Sequence, residues 1–528
     1  MECLIDDIDR QILACLVEDA RMSLKVLSGR IGLTSPSTAE RLKRLEERGV
    51  IQGYGARVNL AALGYTLQAL VRVRPLPGLL HKVDKYIQAM PEVDFVLWCI
   101  GAQAGNRGHY KYELPENVVE VHEVFLDDAL EQKLKNGGRK LRFTQEERTE
   151  LEKLFEGESL NWDVLFELFQ DKKVNPVNMM MSPMFLNIIM QLCEGRFTYL
   201  SFTDFYYNVR SMVLPQLYLI TQEVPQADIY HATATGYSGI LGSLGKWKYK
   251  KPFILTEHGI YTREREEELL RAQWVLPYFK NQWINMFRLF SDCAYAHADV
   301  VTALYKKANG IQHELGCEES KLMVTPNGVH TEKFAGVGAK KADGYVDIGA
   351  IVRIAKIKDI KTMIYAFAEV QRIMPNTRLH IMGDVDDEEY YEECKTLIEQ
   401  LDVKGIIFTG VVNVSEYIKK IDFVILTSIS EGQPLSVLEA FAAGRACVTT
   451  DVGCCRGLIE GSDGFGNAGI CVPPMDKEQL AQAMLELCSE PEKRRRMGEA
   501  GKRRVNMFYT HEVSMENYRD IYRKLLGG

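Results

Sequence analysis

The stretch DFVILTSISEGQPLSVLEAFAAG holds the residues best placed to do chemistry. An apolar run ends in a loop with Glu431 and Gly432, and a helix begins near Pro434. Glu439 follows Glu431 by eight positions, one turn inside that helix. The amide end of a helix favours an anion, glycine lets backbone approach a ligand, and carboxylates accept hydrogen bonds from sugar hydroxyls. A second set lies in IVRIAKIKDIKT, where Arg353 ends an apolar strand and Lys358 follows before a helix. Two cations there suit a diphosphate, or else pair with carboxylates at the helix start. His258, in TEHGIYTRER, and His231, in IYHATATG, each close an apolar strand, either as cleft residues or as hydrogen-bonded structural ones. The cysteines show no C-x-x-C pair and no histidine at ligand spacing, so free thiols of a reducing compartment are expected.

These residues need a scaffold that brings strand ends together. From residue 228 onward, apolar strands alternate with amphipathic helices and close in Gly, Asp or Asn, the pattern of parallel sheets covered on both faces. There are two such sets, hinged near Pro326–Asn327–Gly328. Ligands of doubly wound folds sit at the carboxyl ends of the strands, where the polar residues above fall. Between about 120 and 220 lies a helical region rich in aromatics and methionine, read as core or as a platform for an acceptor glycan or membrane-associated partner. VNMMMSPMFLNIIMQL reads as a buried helix, too short and interrupted to span a bilayer, and MECLIDDIDR has no signal-peptide character.

The first sixty residues follow other rules. Three short amphipathic helices and a strand pair make a winged helix-turn-helix, with Asp7 and Ser35 as caps and Pro36 in the first turn. The third helix offers Ser35, Ser37, Thr38, Arg41 and Arg44 to a DNA major groove, the alternative for the arginines being a solvated face. Hydrophobic residues at 46%, charged residues at 26% and a net charge of −8 are those of an ordinary globular protein and exclude nucleic-acid binding by the surface as a whole, but not by one basic module.

Two resemblances follow. IDDIDRQILACLVEDAR, LSGRIGL, RLKRLEERGVIQGY and NLAALGY resemble the Lrp/AsnC transcriptional regulators over residues 4–93, with TLQALVRVRP and LLHKVDKYIQAMPEV matching the opening of their ligand-sensing domain. LTEHGIYTRER, VTPNGVHTEKF, IKDIKT, SEGQPLSVLEAFAAGR and TDVGCCR resemble the retaining GT-B glycosyltransferases of family 4, and KYELPENVVEVHEVFLDD adds likeness to the PelF group of Pel exopolysaccharide synthesis, over residues 94–528. The second resemblance implies a cytoplasmic hexosyltransferase using a nucleotide sugar, UDP-glucose, without a metal or other cofactor, and acting on a polysaccharide acceptor beside membrane-bound Pel synthesis proteins. It implies Arg353 and Lys358 at the diphosphate, Glu439 at the ribose, and Glu431 with Gly432, Gln433, Pro434 and Leu435 at the donor sugar. His258 would face the sugar from the first domain, so Glu431 and His258 are the expected catalytic pair, with His231 at the donor.

The expected layout is a winged helix-turn-helix over 1–62, a regulator fragment over 63–93, a first GT-B domain over 94–328, a donor-binding domain over 329–505 and a returning helix over 506–528. The chain departs from the transferase pattern in one respect: the usual first strand, Gly-rich loop and helix are missing, TLQALVRVRP and HKVDKYIQAM offer a strand and a helix that could stand in for them, and RPLPGL is a poor substitute for the loop. Weakened activity or none is expected on that ground. The regulator segment stands where that strand should be, and the joint is read at PEVDFVLWCIG. The rival readings are a DNA-binding regulator with a sugar-nucleotide sensor and an inactive gene fusion. Oligomeric state stays open.

Overall fold

A computed structural model describes residues 6–18, 22–47, 50, 68–73, 94–101, 117–126, 128–131 and 141–527. They form two compact units that part between Thr66 and Leu67.

The first unit contains α1 (Asp7–Glu18), α2 (Leu24–Ile31) and α3 (Ser35–Glu47). Ile12, Leu27 and Leu45 are buried at their meeting point, with Leu16, Ile31 and Leu42 packed around them. Val26 points outward and is half exposed, because α2 turns Leu27 to the core instead. The helix starts differ by one residue from expectation. Asp6, not Asp7, accepts from the Ile8 and Asp9 amides. At α3, Thr34 accepts from the Ser37 amide, so Ser35 is already helical. Gly32 ends α2 in the left-handed region at φ 71°, which favours glycine. The expected wing strands, in 51–60, lie outside the described residues.

The second unit carries two parallel sheets. The first runs in the order β3 (Val118–Phe125), β2 (Asp94–Gly101), β1 (Gln68–Val73), β4 (Ile229–Ala232), β5 (Phe253–Glu257), β6 (Val300–Ala303) and β7 (Leu322–Val324). The second runs β10 (Ile406–Gly410), β9 (Thr377–Met382), β8 (Val346–Ile351), β11 (Phe423–Leu426), β12 (Cys447–Thr450) and β13 (Gly469–Val472). Short apolar runs such as FVIL and CVTT are buried on both faces, as strands under two helix layers must be.

The offered segment TLQALVRVRP does supply a strand at the expected gap. β1, from the regulator-like segment, lies between β2, where Leu70 pairs with Val96, and β4, where Leu70 pairs with Tyr230. An apolar β-forming run followed by a crossover-length connection is what a central parallel strand requires, whichever protein it resembles. Gln68–Val73 therefore stands in the sheet of the second unit and not in a separate regulator fragment over 63–93. The helix expected over 79–93 and the RPLPGL loop lie outside the described residues.

β3 extends the first sheet, so the helical region begins after Phe125. Its helices Gln145–Glu156, Pro183–Gly195 and Phe202–Ile220 bury Phe155, Phe185, Phe205 and Met212 in the core that also takes Tyr230 and Phe253 of the sheet. VNMMMSPMFLNIIMQL breaks into Pro176–Met180 and Pro183–Gly195, with Met181 exposed between them, since Ser182 and Pro183 restart the helix. No described helix is long and apolar enough to cross a membrane.

The last helix, His511–Leu526, returns to the first sheet. Tyr518 shares a hydrogen bond with Thr256 on β5 at 3.1 Å. At the hinge, Ser514 Oγ donates to the Pro326 carbonyl at 3.0 Å and the Val329 amide to the Tyr509 carbonyl at 2.9 Å.

Candidate active site

The carboxyl ends of β5 and β6 face those of β8 and β11 across a cavity of about 820 Å³. Its wall takes His258, Arg263, Glu264 and Tyr305 from the first half, and Ile357, Glu431 and Gly432 from the second.

Two loops of the second half are laced together at this wall. Thr427, just past β11, donates to the Lys358 carbonyl at 2.8 Å, and the Ile429 amide donates to the Ile357 carbonyl at 2.9 Å. This lacing carries Lys358 to Glu431, where Nζ donates to Oε1 at 2.5 Å, while Ser428 Oγ donates to the same carboxylate at 2.6 Å. Both partners are mostly buried, with side-chain exposures of 17% and 13%. A buried cation and carboxylate at a ligand cleft form a polar pair that an incoming anion can re-partner.

The Glu431–Gly432 loop is clamped on both sides. A β-carbon on Gly432 would stand 2.7 Å from the His258 carbonyl, so only glycine lets the loop touch the first half there. Gly453, at φ 55°, leaves no room behind, since a β-carbon would meet the Glu431 carbonyl at 2.2 Å. The helix Leu435–Ala442 then opens at Pro434 with no side-chain cap, and half-buried Glu439 lies inside it.

The other expected residues separate. Gln433 is buried, and its side-chain oxygen accepts from the Asn327 amide at 2.6 Å, tying the loop to the hinge. Arg353 is exposed and ion-paired with Asp386, outside the cavity wall. His231 is buried beneath the last helix. Nδ1 shares a hydrogen bond with Tyr522 Oη at 2.8 Å, and Nε2 one with Thr256 Oγ1 at 2.8 Å. Burial, with His258 adding like-charge repulsion, lowers its pKa from 6.5 to about 3. His231 is thus a neutral packing residue. Its place at a strand end says nothing of the helix, almost three hundred residues on, that covers it.

Glu257, last residue of β5, has no counterpart in the sequence reading. Its buried carboxyl accepts from Tyr295 at 2.7 Å, from Gln312 at 2.9 Å and from the Thr235 hydroxyl. Burial raises its pKa against those hydrogen bonds. The three donors fix the strand end that presents His258. Among the described residues no cluster of His, Cys, Asp and Glu is arranged to hold a metal ion.

In the first unit, Arg41 is already engaged. Its Nη1 donates to Asp6 at 2.6 Å and to Asp9 at 2.7 Å. The Asp9 amide and Arg41 hold the Asp6 carboxyl below its usual range. Thr38 is fully buried and donates to the Thr34 carbonyl at 3.0 Å. Ser35 shares a hydrogen bond with Ser28 at 3.1 Å, and Ser37 one with Thr34 at 2.9 Å. Arg44, in the last turn of α3, is exposed. Of the five residues read as facing DNA, Arg41 and Thr38 serve the packing of the unit itself.

Comparison with known proteins matches the same layout. The winged helix-turn-helix DNA-binding family matches residues 5–52, a domain of unknown function (DUF3492) residues 79–320, and the glycosyl transferases group 1 family residues 338–504. The HTH-type transcriptional regulator LrpA of Mycobacterium tuberculosis is 46% identical over 14% of this chain and 48% of its own length. The leucine-responsive regulatory protein of Rhizobium meliloti is 35% identical over 18% of this chain and 70% of its own. An MMP alpha-(1->4)-mannosyltransferase of Mycolicibacterium hassiacum is 24% identical over 52% of this chain and 66% of its own. The chain thus spans between about half and two thirds of the length of the first curated relatives it matches. In fold it is similar to HepE of Anabaena, solved with UDP and glucose (TM-score 0.54, 13% identity, 87% of this chain and 99% of that one). Sucrose-phosphate synthase of Thermosynechococcus elongatus is similar too (TM-score 0.56, 14% identity, 88% and 100%). The chain joins a winged helix-turn-helix segment belonging to the leucine-responsive regulatory protein family to a GT-B fold of which residues 338–504 match the glycosyl transferases group 1 family.

Proposed function

We propose that the second unit transfers a hexosyl group, glucose, from UDP-glucose to a growing exopolysaccharide with retention of configuration, as a PelF-type enzyme of the cytoplasmic face. The observation that supports this most is Glu431, on the cavity wall between the two sheets, ion-paired with Lys358 and four residues before an uncapped helix start. On donor binding Lys358 turns from Glu431 to the diphosphate, and Glu431 accepts from hydroxyls of the donor sugar. The bond between the anomeric carbon and the leaving phosphate oxygen breaks, an acceptor hydroxyl bonds to that carbon on the same face, and its proton passes to the leaving diphosphate. Lys358 and the amide end of Leu435–Ala442 stabilise the charge that develops there. His258 faces the sugar from the first half, and Glu439 the ribose. No metal or other cofactor enters this scheme. HepE, a neighbour in fold, was solved with UDP and glucose, which agrees with a UDP-sugar donor. The test is calorimetric binding of UDP and UDP-glucose to the full chain, with Lys358→Ala losing both, and NMR of the product for an unchanged anomeric configuration. Failure of the parent to bind UDP ends the reading.

A second reading rests on a separate observation, the helix-turn-helix and its regulator relatives. In it the first unit binds DNA through the exposed face of α3, with Arg44 as a phosphate contact. DNA binding whose affinity falls with added salt supports it, and salt-insensitive binding contradicts it.

A further inference from the structure

One exposed aromatic of the cavity wall is not used by the donor chemistry. Trp274 follows the helix Tyr261–Arg271, lines the cavity and leaves 65% of its surface open. A large aromatic ring at a cleft wall, beside polar groups, is the kind of surface that ligand sites are built from. Nor is it loose. It stands edge-on to Trp283, with centroids 5.3 Å apart and planes at 85°. Trp283 in turn donates from its indole nitrogen to Asn208 at 3.0 Å, and Asn208 donates to Gln282 at 2.8 Å. That chain of contacts reaches the long helix Phe202–Ile220, so the helical region braces the ring from behind.

Carboxylates share the same wall. Glu267 and Glu268 line the cavity and are paired with Arg271 and Arg265, each at 2.5 Å. A flat electron-rich ring next to acceptor oxygens is the combination that recognises a pyranose. The C–H face of the sugar packs on the ring, and its equatorial hydroxyls donate to the carboxylates. The wall carries Glu264, Glu267 and Glu268 as well as Arg263, Arg271 and Lys307, a mixed set of donors and acceptors that suits the hydroxyls of a neutral glycan.

We infer that Trp274 is the stacking platform for a pyranose ring of an oligosaccharide acceptor, held for that purpose by Trp283 and Asn208. The inference rests on the transfer reading above for the acceptor's role, but its test does not. Calorimetry on the full chain measures binding of maltohexaose and of chitohexaose, alongside binding of UDP. The expected result is that one hexasaccharide binds and that Trp274→Ala weakens it roughly ten-fold or more. Trp274→Phe, which keeps a ring, stays within about three-fold. Both variants should unfold at the temperature of the parent, since the ring is exposed. Three results overturn the inference: neither hexasaccharide binds the parent, Trp274→Ala binds as the parent does, or the loss appears in binding to phosphatidylglycerol vesicles in place of the sugar. Loss of UDP binding with hexasaccharide binding intact would instead overturn the transfer reading alone.

Discussion

Val71 of β1 pairs in parallel register with His231 of β4. A strand that resembles a regulator's is thereby a central strand of the first sheet of the second unit. The expectation of weakened activity rested partly on a missing strand, and that position is filled.

It follows that the place of truncation matters. A chain starting at residue 67 should stay soluble and unfold cooperatively, because the second unit begins there. A chain starting at residue 94 leaves β2 and β4 without the strand between them and should aggregate or melt far earlier. Thermal unfolding followed by circular dichroism compares the two. Equal stability would place β1 outside the sheet.

The clamp on the Glu431 loop predicts two severe glycine variants. Gly453→Ala must adopt φ 55° and also displace the Glu431 carbonyl, so about 1–3 kcal/mol of stability and most donor affinity should go. Gly432→Ala should lose donor affinity with a smaller change in unfolding midpoint, since its obstacle is the His258 carbonyl of the facing half. Denaturant unfolding and UDP calorimetry on both variants check this. Retained UDP affinity in Gly432→Ala would show the loop does not seat the donor.

His231 predicts a pH dependence. Its pKa in the fold is about 3 and its ordinary value 6.5, so the unfolded chain binds the proton more readily. The stability from keeping it neutral is complete above about pH 6.5 and drains as pH falls toward 3. His231→Gln should be less stable at pH 8, yet lose less stability than the parent between pH 7 and pH 5. Parallel curves of unfolding midpoint against pH would contradict this.

In the first unit, Arg41→Ala should lower the unfolding midpoint, because Asp6 and Asp9 lose their common partner. Arg44→Ala should leave the midpoint alone and, on the DNA-binding reading, reduce the salt slope of binding by about one. Fluorescence anisotropy with duplex DNA at several salt concentrations separates the two. The opposite assignment would mean that Arg41 leaves its ion pairs to reach phosphate.

The alternation of apolar strands and amphipathic helices was readable because burial on both faces leaves little choice of residue type, and the loop around Glu431 was readable because strand, glycine and helix start follow in one short stretch. The fate of β1 was not, since an apolar run of six residues fits either kind of sheet and only the pairing partners decide. Nor were the ties of His231 to Tyr522 and of Gln433 to Asn327, which join segments far apart in sequence. Trp274 carried a faint signal, an aromatic beside a helix end and a proline, but its place in the cavity depends on how Trp283 and Asn208 pack.

The most direct test of the account is UDP release from UDP-glucose by the full chain, with and without Glu431→Ala. The account predicts release above background in the parent and a loss on the order of a hundred-fold or more in Glu431→Ala, assayed at a temperature where both chains are folded. No release by the parent, or equal release by the variant, would contradict it.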